Sequence, residues 1–487
     1  MALLRHFGIL LLLICYSLSV KSSPWIGTLD PQLHLDLQTL SEWGYVDVAS
    51  TSFPVPWKGI AKQLKQLEPG TMPSSAAVAA QRLQHYLQVQ EKQQRHTVVS
   101  LYAANEQSRF SGFDAEQGTK AKFKISNELY WQRWAVQLTV NRESGGKNSL
   151  DQSFIAYQFG DWNLRLGALD QWWGPANSSS LIMSTNARPI PALALSRSQA
   201  TPSENRWLSL LGPWYFTAQL GQLESDRTIP DAKVWMSRFN FKPLRGLEIG
   251  ASWVAMWGGQ GQGNGIKDLF DVLTFQTKCA NGEQSCDSEL DTKTGNHLAG
   301  FDLKYSFSVL NLPLSIYAQR VGEDAADYYN ITDQADLFGI SSYVWGSRVY
   351  LEASDTNVAC AGDGSTVTNC YYEHSDYQSG YRYYNRAIGS TFDSDAKMIS
   401  LGLNKHFVDG DVLDIVLRRV DLNEDGQRPS PVVNGKSEKL LQLSGFYQTN
   451  IANWQLKFGG QLTQSEVEQQ DEETDTLIYA QLKYSIN

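Results

Sequence analysis

The sequence predicts an all-β transmembrane barrel of about 18 antiparallel strands, preceded by a small N-terminal α-helical bundle. Three observations predict it. After Thr97 the hydropathy period becomes two, with large apolar residues on one face of each segment and polar groups or glycine on the other. That is the lipid-out, lumen-in pattern of a membrane barrel. Short turns alternate with long polar loops, as they do in barrels of the bacterial outer membrane. Past the N-terminus no apolar run reaches the roughly 20 residues that a spanning helix needs.

Composition narrows the function. Of 487 residues, 19% are charged and 11% are aromatic, which argues against a long disordered chain. The formal net charge of -10 argues against a nucleic-acid partner, because such a protein needs Lys and Arg to displace counterions from phosphates.

The elements follow in order. Arg5 precedes the apolar stretch from Phe7 to Val20, and Val20-Lys21-Ser22 ends it, so residues 1–22 read as a cleaved secretory signal peptide. Cys15 is a poor lipoprotein cysteine because bulky Ile14 precedes it. Residues 23–96 read as a periplasmic bundle of three helices. In the first, Leu33, Leu37 and Leu40 share a face, with Asp30 and Pro31 as cap and first-turn residue. A shorter helix opens near Pro56, and a longer one follows Ser74 or Ser75 as its cap.

Residues 97–487 read as the barrel. Ile155, Tyr157 and Phe159 alternate with Ala156 and Gln158 up to a Gly160-Asp161 turn, and Trp162, Leu164 and Leu166 continue beyond it. A second hairpin is expected to turn at Gly212-Pro213, leading into Trp214, Phe216, Ala218 and Leu220. Further turns fall near Lys242–Gly246, Val309–Asn311, Val408–Asp411 and Ile451–Asn453. Long loops are expected at 170–204, 258–297, 322–336, 355–395, 422–437 and 465–474. With the bundle in the periplasm the first strand runs outward and these loops are extracellular. Export makes Cys279–Cys286 and Cys360–Cys370, two close pairs in polar Gly-rich stretches, read as two loop disulfides.

No catalytic motif stands out: there is no HExxH, GxSxG or P-loop. GGQGQGNG at 258–265 lacks the strand-before, helix-after context of a nucleotide fingerprint. Asp421, Asn423, Asp425 and Gly426 start like a calcium loop, but Val432 stands where the bidentate Glu belongs. No cofactor or metal is expected. What is unusual is aromatic density in segments expected to face water. Residues 371–386 hold six Tyr, with Glu373, Asp376, Arg382 and Arg386 between them. Aromatic faces stack on the C–H faces of sugars, and flanking polar groups bond the hydroxyls. The expected sugar contacts are therefore Tyr372, Tyr381, Tyr383 and Tyr384, with Asp376 and Arg382 as polar neighbours. An extended Tyr381-Arg382-Tyr383 would point two rings the same way. The stretch from Leu169 to Arg197 is too polar and Pro-broken for a strand at its centre, yet too apolar for a free loop. It is expected to fold into the barrel mouth, with Trp172, Trp173, Asn186 and Arg188 as the second group of candidates.

QWWGPANSSSLIMSTNARPIP and the run from Trp214 to Gly259 closely resemble the Wzi family of outer-membrane capsule-assembly proteins, and SPW…PWKGI near the N-terminus matches as well. The resemblance covers nearly all of the chain after the signal. It implies an 18-stranded barrel closed at the periplasmic side by a helical bundle, acting as a non-enzymatic surface lectin for capsular polysaccharide. No sugar-contacting residue is carried over from it. The reading is thus an outer-membrane lectin that anchors exported capsular or extracellular polysaccharide. Its expected partners are that polymer, outer-membrane lipids and the polysaccharide export machinery, with the protein itself a monomer. A porin-like diffusion channel is the alternative, since barrels of this strand number can enclose water. An outer-membrane hydrolase is the third, with the missing catalytic spacing against it.

Overall fold

The computed structural model describes residues 23–92, 95–110, 112–113, 118–274, 295–326, 330–361, 366–368, 370–374, 376–424, 426, 431–433 and 435–486. The signal segment and Cys279 and Cys286 lie outside them.

The N-terminal region folds as its apolar spacing dictates. Asp30 Oδ1 accepts the Gln32 amide at 3.2 Å and opens helix α1 (Gln32–Glu42). Leu33, Leu37 and Leu40 are buried in one core with Val55, Ile60 and Leu83. Each such leucine contributes roughly 1.5–3 kcal/mol by leaving water. Helix α2 is Ile60–Leu64 and starts later than expected, because Val55–Pro56 is extended and pairs with Trp25–Ile26. Helix α3 is Ser74–Lys92. The carbonyl that accepts its first bond belongs to Pro73, so Ser74 is already inside the helix rather than its cap.

Eighteen long antiparallel strands among the described residues close into a barrel. They are β1 (Arg95–Ala104), β2 (Ala121–Trp131), β3 (Trp134–Glu143), β4 (Phe154–Phe159), β5 (Trp162–Ala168), β6 (Pro191–Arg197), β7 (Trp214–Gln222), β8 (Lys233–Leu244), β9 (Leu247–Trp257), β10 (Gly295–Val309), β11 (Leu312–Ala326), β12 (Asn330–Val344), β13 (Ser347–Asp355), β14 (Ala396–His406), β15 (Val412–Leu422), β16 (Glu438–Ile451), β17 (Trp454–Val467) and β18 (Glu473–Ile486). Each pairs with its neighbour in sequence, and β18 pairs with β1 from Ile486↔Thr97 to Tyr479↔Ala104. Closure leaves no free edge among the described strands, so their backbone groups are satisfied within the ladder. A short helix, α4 (Ile266–Leu273), follows β9.

The period of two decides which residues meet lipid. On β2 and β3, Phe123, Ile125, Leu129, Leu138 and Val140 point out, while Ser126, Thr139 and Asn141 are buried inside. Trp131, Trp134, Phe159, Trp345 and Trp454 crowd the short-turn end as an aromatic girdle. Inside, three tyrosines lie over glycines directly opposite them: Tyr317 on Gly339, Tyr350 on Gly402 and Tyr479 on Gly459. A Cβ at any of these glycines would penetrate the ring.

Two expectations need correction. The strand before β7 is Pro191–Arg197, not the segment leading into Gly212-Pro213; residues 208–211 form a single 3₁₀ turn. The loop expected at 322–336 is mostly strand, since β11 runs to Ala326 and β12 starts at Asn330.

The bundle packs on the short-turn end through buried charge. Glu42 accepts from Lys304 at 2.7 Å and Arg348 at 3.0 Å, and Tyr343 donates to it at 2.6 Å. Asp36 pairs with Arg82 at 2.8 Å and His406 at 2.5 Å. Arg82 also donates to the Gly410 carbonyl in the β14–β15 turn.

Candidate functional site

Two segments enter the lumen from the long-loop end and fill much of it. The first is residues 169–190. Trp172–Trp173 pairs with Ser52–Phe53 of the N-terminal region, so this segment reaches the bundle inside the barrel. Barrel side chains hold it by its backbone. Glu352 accepts the Asn177 and Ser178 amides at 2.7 and 2.8 Å, and Gln319 accepts the Leu181 amide at 2.8 Å while donating to the Trp173 carbonyl at 2.9 Å. The second is the Tyr-rich segment before β14, which packs on the first in one apolar core containing Trp173, Leu181, Ile182, Tyr371, Tyr372 and Tyr381.

This placement corrects the expected row of sugar-facing rings. Tyr372 and Tyr381 are fully buried, and their hydroxyls donate to the carbonyls of Leu181 and Ile182 at 2.5 and 2.6 Å. Burial pushes both hydroxyls well above the usual phenol range, so both stay protonated, and the Tyr372 oxygen also accepts the Ser390 amide at 2.8 Å. Arg382 is buried too. It chelates Asp393 at 2.8 and 2.7 Å and donates to Glu373 at 2.6 Å. Tyr381 and Tyr383 do not form an open platform, because residues 382–383 pair with 386–387 as a tiny hairpin whose turn is Tyr384-Asn385. Asp376 is exposed, away from these partners. Trp172 and Trp173 are buried; the Trp172 indole donates to the Ala176 carbonyl at 2.9 Å. Both are architectural here.

The other four candidates converge. Tyr383, Tyr384, Asn186 and Arg188 line one cavity of about 850 Å³. Arg188 forks onto Asp151 at 2.8 and 3.0 Å and lies 4.8 Å over the Tyr384 ring, which is 49% exposed. Asn186 donates to the Ala387 carbonyl and accepts from Arg386, each at 3.0 Å. The cavity runs from Asn385 and Pro431 at the loop end to Thr28 and Pro31 of the N-terminal region. Its wall is the seam where β18 meets β1. Among its described lining residues are eight Lys and Arg side chains against three carboxylates. The carboxylates of Glu143 and Asp151 already pair with Lys122 and Arg188.

Such a chamber offers rings for stacking, amides and hydroxyls for hydrogen bonding, and cationic charge. Among its described lining residues no pair of nucleophile and base is hydrogen-bonded in the way covalent catalysis requires. The fold and this chamber go with a family match. A model described as capsule assembly protein Wzi fits residues 90–477. The chain belongs to the Wzi family. A Klebsiella pneumoniae protein described as an uncharacterized 55.8 kDa protein in the cps region is 30% identical over 340 residues, covering 67% of this chain and 64% of that protein. The chain thus matches less than two thirds of that relative's length. Among solved structures, Escherichia coli Wzi, described as an outer-membrane protein involved in group 1 capsule assembly and a carbohydrate-binding β-barrel, superposes with a TM-score of 0.79 at 24% identity, over 93% of this chain and 98% of that one.

In this Wzi-family chain the sequence reading missed the seam wall. Lys122 and Lys124 flank outward Phe123, with outward Ile125 next in line, and Lys483 stands between outward Leu482 and Tyr484. The signal was there: a lysine at the inward phase of a lipid-facing strand has only the lumen to enter. In the calcium-like loop Glu424 pairs with Lys397 at 2.5 Å and Asn357 at 3.0 Å, and Asp425 lies outside the described residues. Cys370 is disulfide-bonded; the side chain of Cys360 lies outside the described residues.

Proposed function

We propose that this protein is a non-enzymatic outer-membrane lectin that binds exported capsular polysaccharide and holds it at the cell surface. The observation that carries the reading is the seam chamber, in which Tyr383, Tyr384, Asn186 and Arg188 meet an excess of basic side chains. Rings and amides suit pyranose units, and the cationic excess suits a polymer that carries carboxylates. Single contacts of this kind are weak, so retention of a long chain rests on its repeat units engaging many molecules. The family match and the carbohydrate-binding description of the structural neighbour support the same reading.

In this reading residues 1–22 are removed on export, the helical bundle is periplasmic and the long loops are extracellular. The protein works as a monomer beside the export machinery. The packed lumen supports a lectin over a diffusion channel, because residues 169–190 and the Tyr-rich segment occupy the path a solute would take. The test is a pull-down of purified capsular polysaccharide by the detergent-solubilised barrel, beside conductance in planar bilayers. Retention of the polymer without steady conductance is the expected result. Conductance without retention overturns the proposal.

A further inference from the structure

Helix α4 lies on the outside of the barrel. On β9 the residues at Trp253, Ala255 and Trp257 occupy the outward phase, opposite inward Ser252, Val254 and Met256. Outward Phe123, Leu193 and Phe301 stay open, but Ala255 is 0% and Trp257 4% exposed, because Val272 and Leu269 of α4 pack over them together with outward Trp235 and Trp253. The helix is opened by Asp268, whose carboxylate accepts the Gly265 amide at 2.7 Å. With its inner side so covered, α4 turns Ile266 and Phe270 away from the protein, at 76% and 59% exposure. They are one helical turn apart on one face, and exposed Lys267 stands beside them.

A second apolar foot lies on the same wall at the opposite rim. The 3₁₀ turn at Leu208–Leu211 abuts the far end of β8 and leaves Trp207 and Leu210 largely exposed. Strand β8 has twelve residues between the two feet. At ~3.3 Å per residue and a tilt of ~40°, it rises ~30 Å, the thickness of a hydrocarbon core.

We propose that α4 is an interfacial helix seated in the outer leaflet, with Ile266 and Phe270 among acyl chains and Lys267 at headgroup level. Its apolar face continues the lipid-facing belt through Trp235 and Trp253, as an interfacial helix requires. The turn at 208–211 is its counterpart in the inner leaflet. Together they fix the depth and tilt of the β7–β9 wall.

The test places a photoreactive benzophenone side chain at position 266, 270 or 207 of the full chain in cells, with exposed position 260 as control. All four positions face outward from the fold, and a heat-modifiable gel shift verifies the barrel in each variant. Irradiation should yield adducts carrying the mass of a membrane lipid at 266, 270 and 207 and none at 260. Adducts to a protein at 266 and 270, or a lipid yield there no greater than at 260, would overturn the proposal.

Discussion

Glu42 of helix α1 and Lys304 of strand β10 are 262 positions apart in sequence, yet their side chains meet at 2.7 Å with both buried. Arg348 completes the cluster from β13, so one carboxylate on the bundle answers two cations on the wall. The cations hold the Glu42 carboxyl well below the usual carboxylate range, although burial alone pushes it up. Removing one member of a buried pair strands the others without compensation. Glu42→Ala should therefore weaken docking of the bundle by ~3–5 kcal/mol. Limited proteolysis should cut the N-terminal region first while the unboiled barrel still migrates as a folded species. An unchanged proteolytic pattern would show that the bundle is held by apolar packing alone.

Acid should loosen the same contact in two stages. His34 is lowered from 6.5 to about 3, first by burial and then by the nearby Lys304 and Arg348 cations. The folded state keeps it neutral while an unfolded segment protonates below 6.5, so stability falls as pH drops from 6.5 toward 3. Glu42 and Asp36 are both held below their ordinary values of 4.5 and 3.8; burial raises each, and the cations around it outweigh burial. Their contribution is present above those values and is lost as pH falls further. Thermal melts of the bundle should show the first loss between pH 6.5 and 4.5, and His34→Gln should flatten that stage while sparing the second.

Two tyrosines separate sugar contact from packing. Tyr381→Ala empties a fully buried site and should cost ~3–5 kcal/mol of local stability, seen as new protease cuts in the Tyr-rich segment. Tyr384→Ala removes a half-exposed ring and should leave stability within ~0.5 kcal/mol while lowering cell-bound polysaccharide. Equal binding by Tyr384→Ala and wild type would move the site away from the chamber.

Basic residues of the chamber should matter through charge. Lys124→Gln with Lys147→Gln should reduce polymer retention about five- to thirtyfold if each cation contributes ~0.5–1 kcal/mol against a carboxylate-bearing chain. The difference from wild type should shrink as salt rises, by screening. A salt-independent loss would point to misfolding, and no loss would exclude charge as the basis of recognition.

The glycine–tyrosine pairs predict a packing defect. Gly402→Ala forces Tyr350 aside in a filled lumen, an overpacking cost of typically ~1–3 kcal/mol. Gly70→Ala, where a Cβ meets nothing within 4 Å, should be neutral. Urea unfolding of the two variants in detergent makes the comparison.

Much of this was legible in the sequence because a barrel writes its two faces at alternate positions. Ile155 and Leu166 against Ala156 and Arg165 is a message about lipid and lumen, and β4 and β5 lie where it put them. The misread strand shows the limit of that signal. Residues 207–211 are as apolar as a strand, but they form a turn at the short-turn end of the barrel, whereas Pro191–Arg197 alternates small Ala192 and Ala194 with Leu193 and Leu195. The Tyr-rich segment was misread for a different reason. Composition marks it as a place where rings gather, but only long-range packing on Leu181 and Ile182 decides whether those rings face sugar or core. The seam chamber draws on residues from both ends of the chain, a proximity that no local window contains.

That seam also bears on how the molecule is built. The pairing of β18 with β1 forms only when the last strand exists, whereas the bundle, residues 169–190 and the wall residues Lys304, Gln319 and Glu352 all precede it in the chain. The cylinder is therefore closed by its first and last strands around contents that all precede the last strand in the chain. The side left hollow is thus the side joined from the two ends of the barrel sequence, and the chamber lies beside the one junction that no hairpin turn makes.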